Sequence, residues 1–173
     1  MDEKINKNLS ERALEDYGFV KKAVNGDQKA YTVLMERYKN AIYHMMFRMV
    51  SNKEDADECV NLVKKGIKKA TSDSLLGMQY RNEKLPKIGD YTVVTNWEGK
   101  AQCILETKKV TLKPLFTIDE EYAKLEGEGD KSLKHWKEVH WDYYTRELEA
   151  FGRVPRESMI IVCQEFEKVF ERK

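Results

Sequence analysis

The spacing of apolar residues changes once along this chain, near Leu85, from a helical period to alternation. Helices followed by strands, with further helices among the strands, place the chain in the α+β class. On the helical side, Leu14, Phe19, Val20 and Ala23 share one face of a helix that Asn25-Gly26 stops. Asp27 is placed to cap a second helix, whose stripe is Ala30, Tyr31, Leu34, Met35 and Tyr38. That stripe continues through Ile42, Met45, Met46, Met49 and Val50. Ser51-Asn52-Lys53-Glu54 has capping-box spacing and predicts a third helix at about 53–65, with Gly66 near its end. After Pro86 and Gly89-Asp90 come a strand at Tyr91–Val94, a hairpin connection at Asn96–Gly99, and strands at Ala101–Thr107 and Lys109–Leu115. Helical spacing returns at Glu120–Leu125 and Ser132–Phe151, before closing strands at Met159–Cys163 and Phe166–Phe170.

Composition narrows the function classes. Apolar residues make up 41% of the 173, enough for a sizeable core, and 35% are charged. No run of apolar residues is long enough to span a bilayer, so no membrane partner is expected. Met1-Asp2-Glu3-Lys4 is charged and lacks the apolar segment of a secretory signal. Cys59, Cys103 and Cys163 are far apart and odd in number, which predicts free thiols in a reducing compartment and a cytoplasmic protein. The net charge is +1, and the parts before and after residue 58 are each near neutral. Recognition of nucleic acid would then rest on a local patch or pocket, favouring a small ligand or short single strand over long duplex DNA. His135 and His140 are five apart, a poor spacing for two ligands on one helical face, so no metal and no cofactor are expected. Glu126-Gly127-Glu128-Gly129-Asp130 lacks the ordered spacing of a calcium loop and reads as a flexible lip.

Two groups of motifs resemble known families. Gly66-Ile67-Lys68-Lys69-Ala70-Thr71, then Leu85-Pro86-Lys87-Ile88-Gly89-Asp90-Tyr91, then Glu126 to Leu133 with Trp136 and His140-Trp141, occur in the order seen in ASCH domains. The resemblance covers about residues 57–173. It implies a PUA-like β-barrel with flanking helices, preceded here by an N-terminal helical hairpin, and an RNA or modified-nucleoside partner. The segment from Phe19 through Gly26-Asp27 and Tyr38 to Asn52-Lys53-Glu54-Asp55-Ala56-Asp57-Glu58 resembles the opening of region 2 of extracytoplasmic-function sigma factors, over about residues 13–58. This implies bacterial RNA polymerase as a partner. The promoter-reading second half of that region and all of region 4 are missing. The expected division is therefore 1–56, a truncated sigma-like helical segment, and 57–173, the ASCH domain. The two meet inside one helix with no flexible linker between them, so the first helices either form a rigid fused module or cover an apolar face of the barrel.

Some ASCH proteins resemble amidohydrolases that remove the acetyl group of N4-acetylcytidine, with a Gly-x-Lys-x-x-Thr motif and a later glutamate. Gly66, Lys68 and Thr71 match the motif, and Glu126 best matches the glutamate, with Glu128 as substitute. The implied roles are nucleophile for Thr71, base for Lys68 if burial lowers its pKa, and orientation or proton shuttling for Glu126. Lys69 is a neighbouring cation for Lys68. Gly66, Lys69, Glu128, Trp97 and Trp141 are the candidate substrate-binding residues, the tryptophans by base stacking. Many ASCH members carry arginine five residues after the lysine, where this chain has Asp73. That exchange reverses the charge where an anionic group would sit. Lys68 could equally complement a helix end, Thr71 could cap the next segment, and Glu126 could be a solvated loop carboxylate. Three readings follow: a hydrolase of an acylated pyrimidine nucleoside, an RNA-binding module without turnover, and a regulator that contacts polymerase through its first helices.

Overall fold

The computed structural model describes residues 11–34, 36–37 and 52–171. Helix α1, Glu11–Val24, ends where Gly26, at φ 95°, turns the chain. Asp27 then caps a helical run at 28–34 (α2), its carboxylate accepting from the N–H groups of Lys29 and Ala30 at 2.9 and 3.1 Å. The expected continuation through Ile42 to Val50 lies outside the described residues. Helix α3, Lys53–Lys64, is capped by Asn52, whose side chain accepts from the Asp55 N–H at 2.9 Å. The cap therefore sits one residue after the expected Ser51.

Four antiparallel strands form one curled sheet in the order β1-β4-β3-β2: β1 Ala70–Ser74, β2 Tyr91–Thr95, β3 Ala101–Pro114 and β4 Ile160–Glu171. Helix α4, Leu75–Tyr80, follows β1; α5, Glu120–Glu126, and α6, Leu133–Glu149, lie between β3 and β4. The expected hairpin closes β2 onto β3, with the Asn96 N–H donating to the Lys100 carbonyl at 2.8 Å.

Two expectations about the strands are corrected. The four segments expected at 101–107, 109–115, 159–163 and 166–170 are two long strands, because register shifts beside Leu105 and Lys108 absorb the break in alternation. Bulges of this kind bend a strand without ending it, and that bend curls the sheet. In addition, β1 and α4 were not anticipated. The strand Ala70-Thr71-Ser72-Asp73-Ser74 has no strongly β-forming aliphatic, and its pairing with β4 supplies what local preference does not.

Helices cover both faces of the sheet, so neighbouring strand residues are buried in opposite directions. Val93 and Ile104 pack with Val20, Ala23, Ala30, Tyr31 and Leu34 of α1 and α2, while Val94 and Leu105 pack with Val60 and Val63 of α3. Tyr31 is 2% exposed and its ring lies 5.0 Å from that of Phe170. The first helices thus cover an apolar face of the sheet, one of the two arrangements anticipated. A third cluster joins Ala70, Ile161 and Cys163 to Tyr122, Trp136, Tyr143 and Tyr144 of α5 and α6. Each large apolar side chain so buried contributes about 1.5–3 kcal/mol.

Candidate functional site

Gly66, at φ 69°, ends α3 and lets both the Ile67 and Lys68 N–H groups return to the Leu62 carbonyl. Lys68 is thereby sent inward while Lys69 stays exposed. The main chain of Lys69 ties two elements together, its N–H donating to the Leu125 carbonyl and its carbonyl accepting from Phe166. At the far end of α5, Gly127 adopts φ 70°, and a Cβ there would lie 2.9 Å from Ile67. Only glycine fits that turn without strain, and it brings Glu126 against Lys68.

The result is a buried polar cluster. The Lys68 ammonium donates to Glu126 Oε2 at 3.0 Å and lies 2.6 Å from Glu128 Oε1. Glu126 is fully buried; its Oε1 accepts from Ser72 Oγ at 2.6 Å and from Trp136 Nε1 at 3.0 Å. His140 stacks on Trp136 with ring centroids 3.9 Å apart. Its Nδ1 lies 2.9 Å from the Trp136 carbonyl, so Nδ1 carries a proton, and Nε2 stands 3.6 Å from Glu126. Cys59 Sγ completes the edge, 3.5 Å from Glu128.

Electrostatics in this cluster correct one expected role. Burial alone would pull the Lys68 pKa down, but Glu126 and Glu128 outweigh it and the net shift is upward. At neutral pH Lys68 is an ammonium, not a free-base amine. Burial likewise opposes ionisation of Glu126, yet Lys68, His140 and Ser72 hold its carboxyl well below the ordinary range. Burial, then Glu128, pushes the Cys59 thiol up to about 12. Glu126 is neither a solvated loop carboxylate nor part of a flexible lip, because it is the last residue of α5 and sealed from solvent.

Alternation along β1 divides the site. Ser72 and Ser74 point toward α5 and α6, whereas Thr71 and Asp73 line an open cleft of about 440 Å³. That volume falls within the roughly 300–1,000 Å³ of small-molecule sites. Its wall includes Thr71, Asp73, Glu83, Lys84, Asp90 and Tyr143, but not Lys68 or Glu126. Lys68 and Glu126 are therefore brought together, while Thr71 presents to the cleft beside them. Trp141 lies elsewhere, in a separate depression of about 670 Å³ with Phe116, and Trp97 sits in the β2–β3 turn. Neither tryptophan lines the cleft.

Asp73, in the position where arginine was expected, has its own counter-ion. Arg81, just past α4, pairs with Asp73 at 3.0 Å and Glu83 at 3.1 Å, and also with Glu147. Tyr143 Oη lies 3.2 Å from Asp73 and 3.0 Å from Glu147. The guanidinium is consumed by carboxylates, and the cleft keeps an excess of negative charge. Ser72, Arg81, His140 and Glu147 were not anticipated. Of these, only His140 carried a sequence signal, as part of the family motif with Trp136 and Trp141.

Comparison with known proteins gives the family. A family model, the ASCH domain, matches residues 44–170. The chain belongs to the ASCH domain family. An ASCH domain from Lactobacillus crispatus JV V101 has a crystal structure that superposes with a TM-score of 0.71, at 27% identity, over 95% of this chain and 98% of that one. Protein EF3133 from Enterococcus faecalis V583, of family DUF984, is 31% identical over 68% of this chain and 70% of its own, with a TM-score of 0.62. No curated protein gives a match. The superposition on the Lactobacillus ASCH domain takes in almost the whole chain, so its match is not confined to residues 57–173. The ASCH family and its PUA-like fold are generally linked to RNA. Among the described residues, no helix is long and apolar enough to cross a membrane.

Proposed function

We propose that this ASCH protein acts on RNA or its modified nucleosides, and that the cleft beside Thr71 receives a neutral pyrimidine nucleoside. The observation that carries this is the charge of the cleft wall: Asp73 and Glu83 share the single guanidinium of Arg81 with Glu147, and with Asp90 set against Lys84 the carboxylates outnumber the cations. A 5′-phosphate would be repelled there. Exocyclic amino and amide N–H groups would find acceptors.

Hydrolysis of an N4-acyl group is a second reading, favoured by the Lys68–Glu126 ion pair. These residues are 58 apart in sequence, and both match the family's amidohydrolase motif. Lys68 enters such a reaction as an ammonium. Lys68 and Glu126 are buried and do not line the cleft that holds Thr71, so this reaction would need an opening between the two before Lys68 could protonate the leaving nitrogen and take up the Thr71 hydroxyl proton as Thr71 Oγ1 attacks the acyl carbon. Water would then hydrolyse the threonyl ester.

A regulator working through polymerase would have to use whatever the packing of the first helices leaves free. Their apolar face is buried on the sheet, and Arg37 is engaged by Glu15 and Asp16 at 2.9 and 2.6 Å. Tyr38, Arg48 and Met49 lie outside the described residues.

Calorimetry with N4-acetylcytidine, cytidine and cytidine 5′-monophosphate, together with chromatography for released cytidine, tests both readings. The nucleosides should bind and the monophosphate should bind at least about tenfold more weakly. Turnover, if the second reading is right, should vanish in Thr71→Val and persist in Thr71→Ser. Equal binding of nucleoside and monophosphate would sink the cleft assignment.

A further inference from the structure

Three of the depressions on the described surface can be compared by charge. The cleft beside Thr71 is acidic, and so is the depression at Phe116 and Trp141, where Glu138, Asp142 and Glu157 stand against Lys137. The third, about 380 Å³, lies between the end of α4 and the segment after α6. Its wall holds Arg153 and Arg156 and no carboxylate. Both arginines are exposed, and neither is ion-paired among the described residues.

An aromatic pair stands beside these cations. Tyr80 and Phe151 stack with ring centroids 4.5 Å apart and planes 14° from parallel, and each keeps more than a third of its surface exposed. Arg153 Nε donates to Tyr80 Oη at 3.0 Å, which fixes the guanidinium against the ring edge. The segment is also held from behind. The Gly152 and Arg153 N–H groups return to the Glu149 and Leu148 carbonyls, and Pro155 is buried. Unpaired arginines next to an exposed, pre-ordered aromatic surface meet the two needs of a single strand: cations for phosphates and a flat face for an unstacked base. Duplex RNA keeps its bases stacked and would leave the aromatic pair unused.

Helix α4 connects this depression to the cleft. Met78 lines the cleft, while Leu76 and Tyr80 line the basic depression. We infer that the depression at Arg153, Arg156 and Tyr80, with Phe151 stacked on Tyr80 beside it, binds single-stranded RNA, holding phosphates and one base next to the nucleotide offered to the cleft. This rests on the RNA-directed reading above and adds where the strand lies. The backbone is gripped on one side of α4, where the charge is positive, and the base is read on the other, where it is negative.

The test is fluorescence anisotropy with a labelled eight-residue oligouridylate, measured from low to moderate salt. Wild-type protein should bind it, and the Arg153→Glu/Arg156→Glu variant should bind at least about tenfold more weakly, with a log–log salt slope smaller by about 1.4. The milder Arg153→Gln/Arg156→Gln pair should fall between them, and Phe151→Ala should weaken binding with the slope unchanged. Calorimetry with N4-acetylcytidine should give the same affinity in every variant, which shows the fold intact and reports the cleft separately. Unchanged oligouridylate affinity in both arginine variants would overturn the inference. So would equal binding of polyglutamate, which offers charge without bases, or no oligouridylate binding by the wild type. In each case the nucleoside titration still decides the reading of the cleft.

Discussion

At the scale of single residues, the Lys68–Glu126 pair couples stability to pH in both directions. Glu126 is held below its ordinary range, so its contribution is full above the unfolded carboxyl pKa of about 4.3 and fades as pH falls below it. Lys68 is shifted upward, so its contribution is full below about 10.4 and fades as pH rises beyond that value. Glu126→Gln should lose about 3 kcal/mol in urea unfolding at pH 7, because the ammonium keeps only Glu128 as a partner. The variant should also show a flatter acid limb; the wild-type acid limb surviving unchanged would mean that Glu126 is not the group responsible. Cys59, its thiol pushed up to about 12, should react with iodoacetamide at pH 8 far more slowly in the folded protein than in urea. The pairing of Lys68 with Glu126 was legible only through family resemblance, since nothing local to either residue announces the other. The role of Arg81 was not legible at all. Its three carboxylate partners come from β1, the segment after α4, and α6, and only the closed fold brings them within reach.

Elements differ in how much of their shape is local. Asn25-Gly26-Asp27 and Asn96–Gly99 were readable because the turn residues and caps carry their own chemistry. The cap of α3 makes a direct test: Asn52→Ala should cost about 1 kcal/mol in thermal or urea unfolding, and Ser51→Ala should cost far less. A larger effect at Ser51 would return the cap to that residue. By contrast, β1 is a strand for reasons that lie ninety residues away, in the ladder running from Ala70–Glu165 to Ser74–Ile161. The bulges of β3 and β4 are equally hidden, because an extra residue in a strand looks in sequence like a break between two strands. Polar composition concealed β1, and the same polarity supplies Ser72 to the buried cluster and Thr71 to the cleft.

For the molecule as a whole, the first helices are part of the core. Tyr31→Ala should destabilise the entire protein by about 3–5 kcal/mol in one cooperative transition, since the ring fills the space between α2 and Phe170. A separate early transition, with the sheet's own unfolding unchanged, would instead mark the helices as an independent module. The sheet order has a further consequence for biosynthesis. Of these four strands β4 leaves the ribosome after the others, yet it is an inner strand, lying between β1 and β3. Until residues 160–171 emerge, β1 has no neighbour to pair with and β3 has one open edge. Until then β1 and the cleft stay unformed, and they await a long-range closure of the kind that folds slowly.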